Sequence, residues 1–178
     1  IIENSHSDFV GGGLYMSGGG TITNTIIRNN TSDNNGGGID LRGSLTKVFT
    51  DCLIEGNTGV EGGGLSYSTW GDIASFVNCT FRSNTATSRG GAIAVLGNAS
   101  LGIVDVEKCV FESNDAATAG GAVWISDQDV FRASNSIFSN NTALSDGGAI
   151  RNEQTVNAVN CTFYNNDVMN DGVADTFR

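Results

Sequence analysis

Bulky apolar residues recur along the chain at a nearly constant interval: Ile1, Ile27, Ile54, Phe81, Phe111, Phe138 and Phe163. Three residues after each stands an asparagine, Asn4, Asn30, Asn57, Asn84, Asn114, Asn141 and Asn166, at spacings of 26, 27, 27, 30, 27 and 25. Two residues before the apolar position runs a small, mildly polar column, Thr25, Cys52, Cys79, Cys109, Ser136 and Cys161. Beyond each asparagine a glycine pair precedes an aliphatic column, Leu14, Ile39, Leu65, Ile93, Val123 and Ile150, followed two residues later by Met16, Leu41, Tyr67, Val95 and Ile125. Helical repeats would place apolar residues at i, i+3, i+4 and i+7, whereas these pairs stand two apart between glycines and polar residues. Leucine-rich repeats would show L-x-x-L-x-L ahead of the asparagine, which is absent. A parallel β-solenoid remains, with each copy one coil of short strands and each column a stack of like side chains about 4.8 Å apart.

Strand alternation turns Cys79 and Phe81 inward and Asn78 and Thr80 outward. Asn84 is out of phase with Phe81, so the backbone must bend between them. An inward asparagine at a bend can satisfy its amide from the asparagines above and below. The glycine pair predicts a second corner, where positive φ or close approach of the next coil excludes a side chain. The loops after the aliphatic columns, at 68–72, 96–102 and 126–129, vary in length and should gather on one side of the solenoid.

Composition supports an all-β chain. Its 178 residues include 25 glycines and no proline, which suits many turns between strands whose N–H groups are all needed for pairing. A net charge of −10 would repel phosphate backbones and anionic lipid, arguing against nucleic acid as a partner. No apolar run approaches the ~20 residues of a membrane span. The chain begins at Ile1 without methionine and shows no closing helix after Asn166, so a single domain over 1–178 is expected, cut from a longer surface protein or serving as a filament subunit.

The segments FRSN…GGAI, FESN…GGAV and FSNN…GGAI, with IRNN…GGGI and IEGN…GGGL as variants, resemble the repeat of chlamydial polymorphic outer-membrane proteins and related bacterial surface proteins. That resemblance implies a pectin-lyase-like right-handed parallel β-helix, about 6–7 coils of ~27 residues, on or outside a cell surface. It also implies an adhesive role, and it concerns scaffold rather than chemistry. The last copy carries GVAD at 172–175 in place of GGAI.

Candidate chemistry is sparse. Cys52, Cys79 and Cys109 would stack in one column, too far apart for disulfide geometry, and read as free core thiols. No C-x-x-C or histidine partner supports zinc, so no metal, cofactor or catalytic residue is assigned. Asp127 and Asp129 beside Trp124 form the best acid cluster, and with Tyr15 and Trp70 they make the candidate partner surface. Sequons at Asn29, Asn78, Asn98, Asn140 and Asn160 are candidate glycosylation sites; Asn30 also heads a sequon but belongs to the inward ladder. Outward threonines Thr80 and Thr162 share a column with Ile26, Leu53, Val110 and Ile137, which breaks any ice-matching array. The expectation is an extracellular structural or adhesive solenoid, not an enzyme, that self-associates end to end or laterally and carries glycans. The alternative is a polysaccharide-binding or polysaccharide-degrading β-helix.

Overall fold

A computed structural model describes residues 1–68, 71–97, 101–126 and 129–169. Among these residues every strand pairing is parallel, in four sheets of seven, seven, six and six strands. One coil illustrates the rest: Thr80–Arg82 in sheet A, Thr85–Arg89 in sheet B, Ile93–Leu96 in sheet C and Ile103–Glu107 in sheet D. Each strand pairs with its equivalents one coil before and after; Phe81, for example, faces Ile54 and Phe111. The result is a right-handed solenoid of about six turns, as the column pattern predicts. No helix among the described residues is long and apolar enough to cross a membrane.

Three columns of left-handed residues make the corners. One precedes the cysteine column (Asn24, Asp51, Asn78, Lys108, Asn135 and Asn160), one precedes the asparagine ladder (Asn29, Gly56, Ser83, Ser113, Asn140 and Asn165), and one opens the glycine pair. Asparagine and aspartate tolerate positive φ better than other side chains, which explains their crowding at the first corner. Asn78 and Asn160 are therefore corner residues, and they are exposed, as alternation had also placed them.

Within a glycine pair the two residues do different work. Gly90 has φ +67°, while a Cβ on Gly91 would lie 2.2 Å from the Gly121 carbonyl oxygen of the next coil. The first glycine turns the chain, and the second lets two coils touch backbone to backbone.

The core runs the length of the solenoid. Phe81, Phe111, Phe138 and Phe163 stack at 4.9, 4.6 and 4.8 Å between ring centroids, nearly coplanar in orientation at 1°, 2° and 6°. Phe76 meets Phe81 edge-on and Phe131 meets Phe138 likewise, tying sheet D to sheet A. Cys52, Cys79 and Cys109 are buried and free, as expected of small core residues. Burial raises the Cys52 thiol pKa, and the neighbouring Cys109 thiol together with burial raises that of Cys79.

The first rung departs from the sequence alignment. Ile2, not Ile1, pairs with Ile27, so Ser5 takes the ladder position and its N–H donates to Asn30 Oδ1 at 3.0 Å. Asn4 instead stands beside Asn29 at a left-handed corner with φ +57°, and Ile1 is 75% exposed. Spacings of 25 and 26 look alike in letters, but only one keeps the backbone ladder in register.

Candidate functional site

The asparagine ladder is a closed hydrogen-bond system from Asn30 to Asn166. Asn57 donates its N–H and its Nδ2 to Asn84 Oδ1, both at 3.0 Å, and its other Nδ2 proton to Ile27 O at 3.0 Å. Asn84, Asn114 and Asn141 repeat the pattern one coil on. All six asparagines are essentially inaccessible to solvent. Each interior amide thus satisfies two donors and two acceptor directions without water, which permits a polar corner inside a dry core.

Of the candidate partner surface, Tyr15 is half exposed, with the Arg42 guanidinium 5.9 Å from its ring centroid. Trp70 and Asp127, like the sequon asparagine Asn98, lie outside the described residues. Trp124 and Asp129 are corrected by the structure: they are 5% and 1% exposed. Asp129 accepts from Gly102 N–H of the coil before and from Ser126 Oγ, both at 2.9 Å, and so ties its loop to the preceding coil. Trp124 is an outward residue of sheet C, in register with Tyr15, Asp40, Ser66, Ala94 and Arg151. That outward face folds back onto the glycine corner. A Cβ on Gly120 would sit 2.9 Å from Trp124 Cβ, and one on Gly90 would sit 2.9 Å from Ala94 Cα.

The re-entrant corner is filled rather than open. Arg89 lies over the Trp124 ring at 3.9 Å and is held from behind by Glu61 at 2.9 Å. Asp40 is buried in the same column with one oxygen on Arg42 Nε at 2.7 Å and Oδ2 unpartnered, and burial raises its pKa against the opposing pull of Arg42. Alternation identifies which side of a strand a residue takes. It is silent on whether that side meets water.

The candidate glycosylation asparagines Asn29, Asn78 and Asn160 are exposed, and Asn140 is half-buried. Asn78 Nδ2 donates to Asp51 Oδ1 and Asn160 Nδ2 to Asn135 Oδ1, each at 2.6 Å, while Asn140 Oδ1 accepts from Asn165 Nδ2 at 2.8 Å.

Several clusters were not singled out from sequence. The outward column of sheet B reads His6, Thr31, Thr58, Thr85, Asp115, Thr142 and Asp167, a partial threonine row broken by aspartates. At its start His6, Asp8 and Asp33 bring their ligand-capable atoms within 4.8 Å of one another, all exposed. On sheet D a surface depression of about 410 Å³ is lined by Ser75, Asp105, Glu107, Arg132 and Asn157 among others. Asp105 is held by Arg132 at 2.6 and 3.1 Å, leaving Glu107 beside it on the same face.

The most unusual cluster is internal. Lys47 shares the inward parity of Phe49 and stacks in register with Ala74, so its ammonium lies in the core, wholly buried, 2.6 Å from Asp72 Oδ2. Nζ also donates to Gly43 O at 3.1 Å and Leu45 O at 2.7 Å. The Tyr67 ring centroid lies 5.6 Å from Nζ, and its hydroxyl makes no hydrogen bond of acceptable geometry. Burial, then the adjacent Asp72, keeps that phenol protonated. A sequence signal existed: a lysine two residues before an inward phenylalanine, in a chain where every other column holds its parity.

Comparison with known proteins bears on the scaffold. No curated protein and no solved structure matches the chain significantly. The sequence model of one family, described as the right handed beta helix region, matches residues 1–128 and again 65–174. Coverage of nearly the whole chain, on coils whose register the backbone independently shows, places this protein in the right-handed β-helix family.

Proposed function

We propose that this domain is an extracellular structural or adhesive rod, a surface passenger or filament subunit of the kind that the polymorphic outer-membrane repeat implies. The observation that carries the reading is the unbroken ladder from Asn30 to Asn166, running beside a continuous aromatic stack. Such a column makes each coil the template of the next and stiffens the solenoid along its axis. Surface charges support the same reading, because Glu3–Arg28, Glu55–Arg82, Glu61–Arg89 and Asp105–Arg132 all join one coil to its neighbour. Exposed sequon asparagines suit a glycan-bearing surface.

Electron microscopy and sedimentation of the purified chain test this reading, with fibres or concentration-dependent oligomers expected. A strictly monomeric particle that depolymerises pectin-like polymers would sink it. The rival polysaccharide reading draws on the sheet D depression, where Asp105 and Glu107 stand two residues apart on one face. Their Cα atoms are about 6.7 Å apart along the strand, and both carboxylates open onto the depression. A Glu107→Gln variant that loses binding or cleavage of an acidic polysaccharide, while keeping its fold, would favour the rival.

A further inference from the structure

We propose that Lys47 and Asp72 condense into an intramolecular amide, a covalent link between successive coils. The inference stands independently of the rod reading and starts from a cost. A lysine and an aspartate taken wholly out of water gain less from their mutual attraction than hydration gave them, so the neutral amine and carboxylic acid come closer in energy to the ion pair. Lys47 Nζ donates to three oxygens, Gly43 O, Leu45 O and Asp72 Oδ2, so passing the third proton to the carboxylate leaves both carbonyl contacts in place and turns the lone pair toward the Asp72 carboxyl 2.6 Å away. A nitrogen in contact with one carboxyl oxygen lies close to the carboxyl carbon, and near-attack geometries need about 3–3.5 Å.

The remaining requirement is a proton donor for the carboxyl oxygen as it becomes negative. Tyr67 supplies one: its buried hydroxyl lies beside Asp72, and burial first, then the Asp72 carboxylate, keeps it protonated.

The step balances without any co-reactant. A proton passes from the Lys47 ammonium to the Asp72 carboxylate; the Nζ lone pair then forms a bond to Asp72 Cγ, with the Tyr67 O–H bonded to the developing oxyanion. The Cγ–OH bond breaks, and hydroxide leaves with the amine proton as water. Nothing is oxidised or reduced.

The test is intact-mass measurement and peptide mapping of the purified wild-type chain, before and after incubation at neutral pH. The expected result is a chain lighter by one water and a branched fragment joining the Lys47 and Asp72 peptides. Lys47→Arg should restore the full sequence mass and abolish the branched fragment. Tyr67→Phe should slow linkage about 100-fold, the usual weight of a lost general acid. A wild-type chain that keeps its full mass after incubation overturns the proposal. So does loss of water without the branched fragment, which would mark a succinimide at an Asp–Gly step, Asp146–Gly147 or Asp171–Gly172, and would persist in Lys47→Arg. Linkage at the wild-type rate in Tyr67→Phe overturns the part assigned to Tyr67.

Discussion

The two long sides of the solenoid handle buried polarity in opposite ways. Between sheets A and B every coil from Asn30 onward repeats one device, an asparagine whose amide bonds the neighbouring rungs. Along sheets C and D each coil improvises: Asp40 on Arg42, Lys47 on Asp72, Asp129 on Ser126 and on Gly102 of the coil before, and Trp124 under Arg89 from the end of sheet B. Repetition works where the local spacing is invariant, because an amide offers donors and acceptors in equal number. On the other side the C–D loops differ in length, so no single residue type can serve every coil. Polar groups there are paired individually, and some, such as Asp40 Oδ2 and the Tyr67 hydroxyl, are left over.

Breaking the regular side should have the largest effect. Asn84→Leu takes the acceptor from the Asn57 N–H and from one Asn57 Nδ2 proton, and removes the side-chain donor to Ile54 O and one of the two donors to Asn114 Oδ1. A loss of about 4 kcal/mol is expected in denaturant unfolding, since each buried orphan costs about 1–3 kcal/mol. A change below about 1 kcal/mol would show that the rungs act separately rather than as a network.

On the improvised side the equivalent cut is milder. Arg89→Leu removes the guanidinium from Trp124 and leaves Glu61 with Ser88 Oγ, but a partly exposed corner lets water in, and about 1–2 kcal/mol is expected for a cation–π contact with its ion pair. The same melts should show Trp124 fluorescence shifting toward that of a solvated indole.

The smallest effect is a pH dependence confined to that side. Asp40 has a pKa above its ordinary 3.8 in the folded chain because burial outweighs the pull of Arg42. Its folded state holds the proton more tightly than the unfolded one, so its favourable contribution is complete below 3.8 and fades as pH rises through the folded value. Stability of wild type minus Asp40→Asn should therefore fall from acid toward neutral pH. A flat difference would mean that water reaches the carboxylate.

Legibility in the sequence follows the same division. The columns Cys52–Cys79–Cys109 and Phe81–Phe111–Phe138, the ladder from Asn30 onward, the corner glycines and the one-sided loops were readable, because each is a periodic demand made by a stacked backbone. Asn4 was misread as a rung, since one residue of slip is invisible without the Ile2–Ile27 pairing. Trp124 was read as surface because alternation says outward, whereas the fold of sheet C onto the glycine corner made outward mean buried. Lys47 passed unnoticed because its chemistry says surface while its parity says core.

By itself, then, the sequence determined the repeat, the coil, the parity of the strands beyond the first coil and two of the three left-handed corners, all properties of neighbours along the chain or one period apart. Only the tertiary structure decided which outward faces meet water, which first residue is in register and which charged groups share the interior. Those depend on how one sheet bends against the next, a distance in space that no spacing in the chain records.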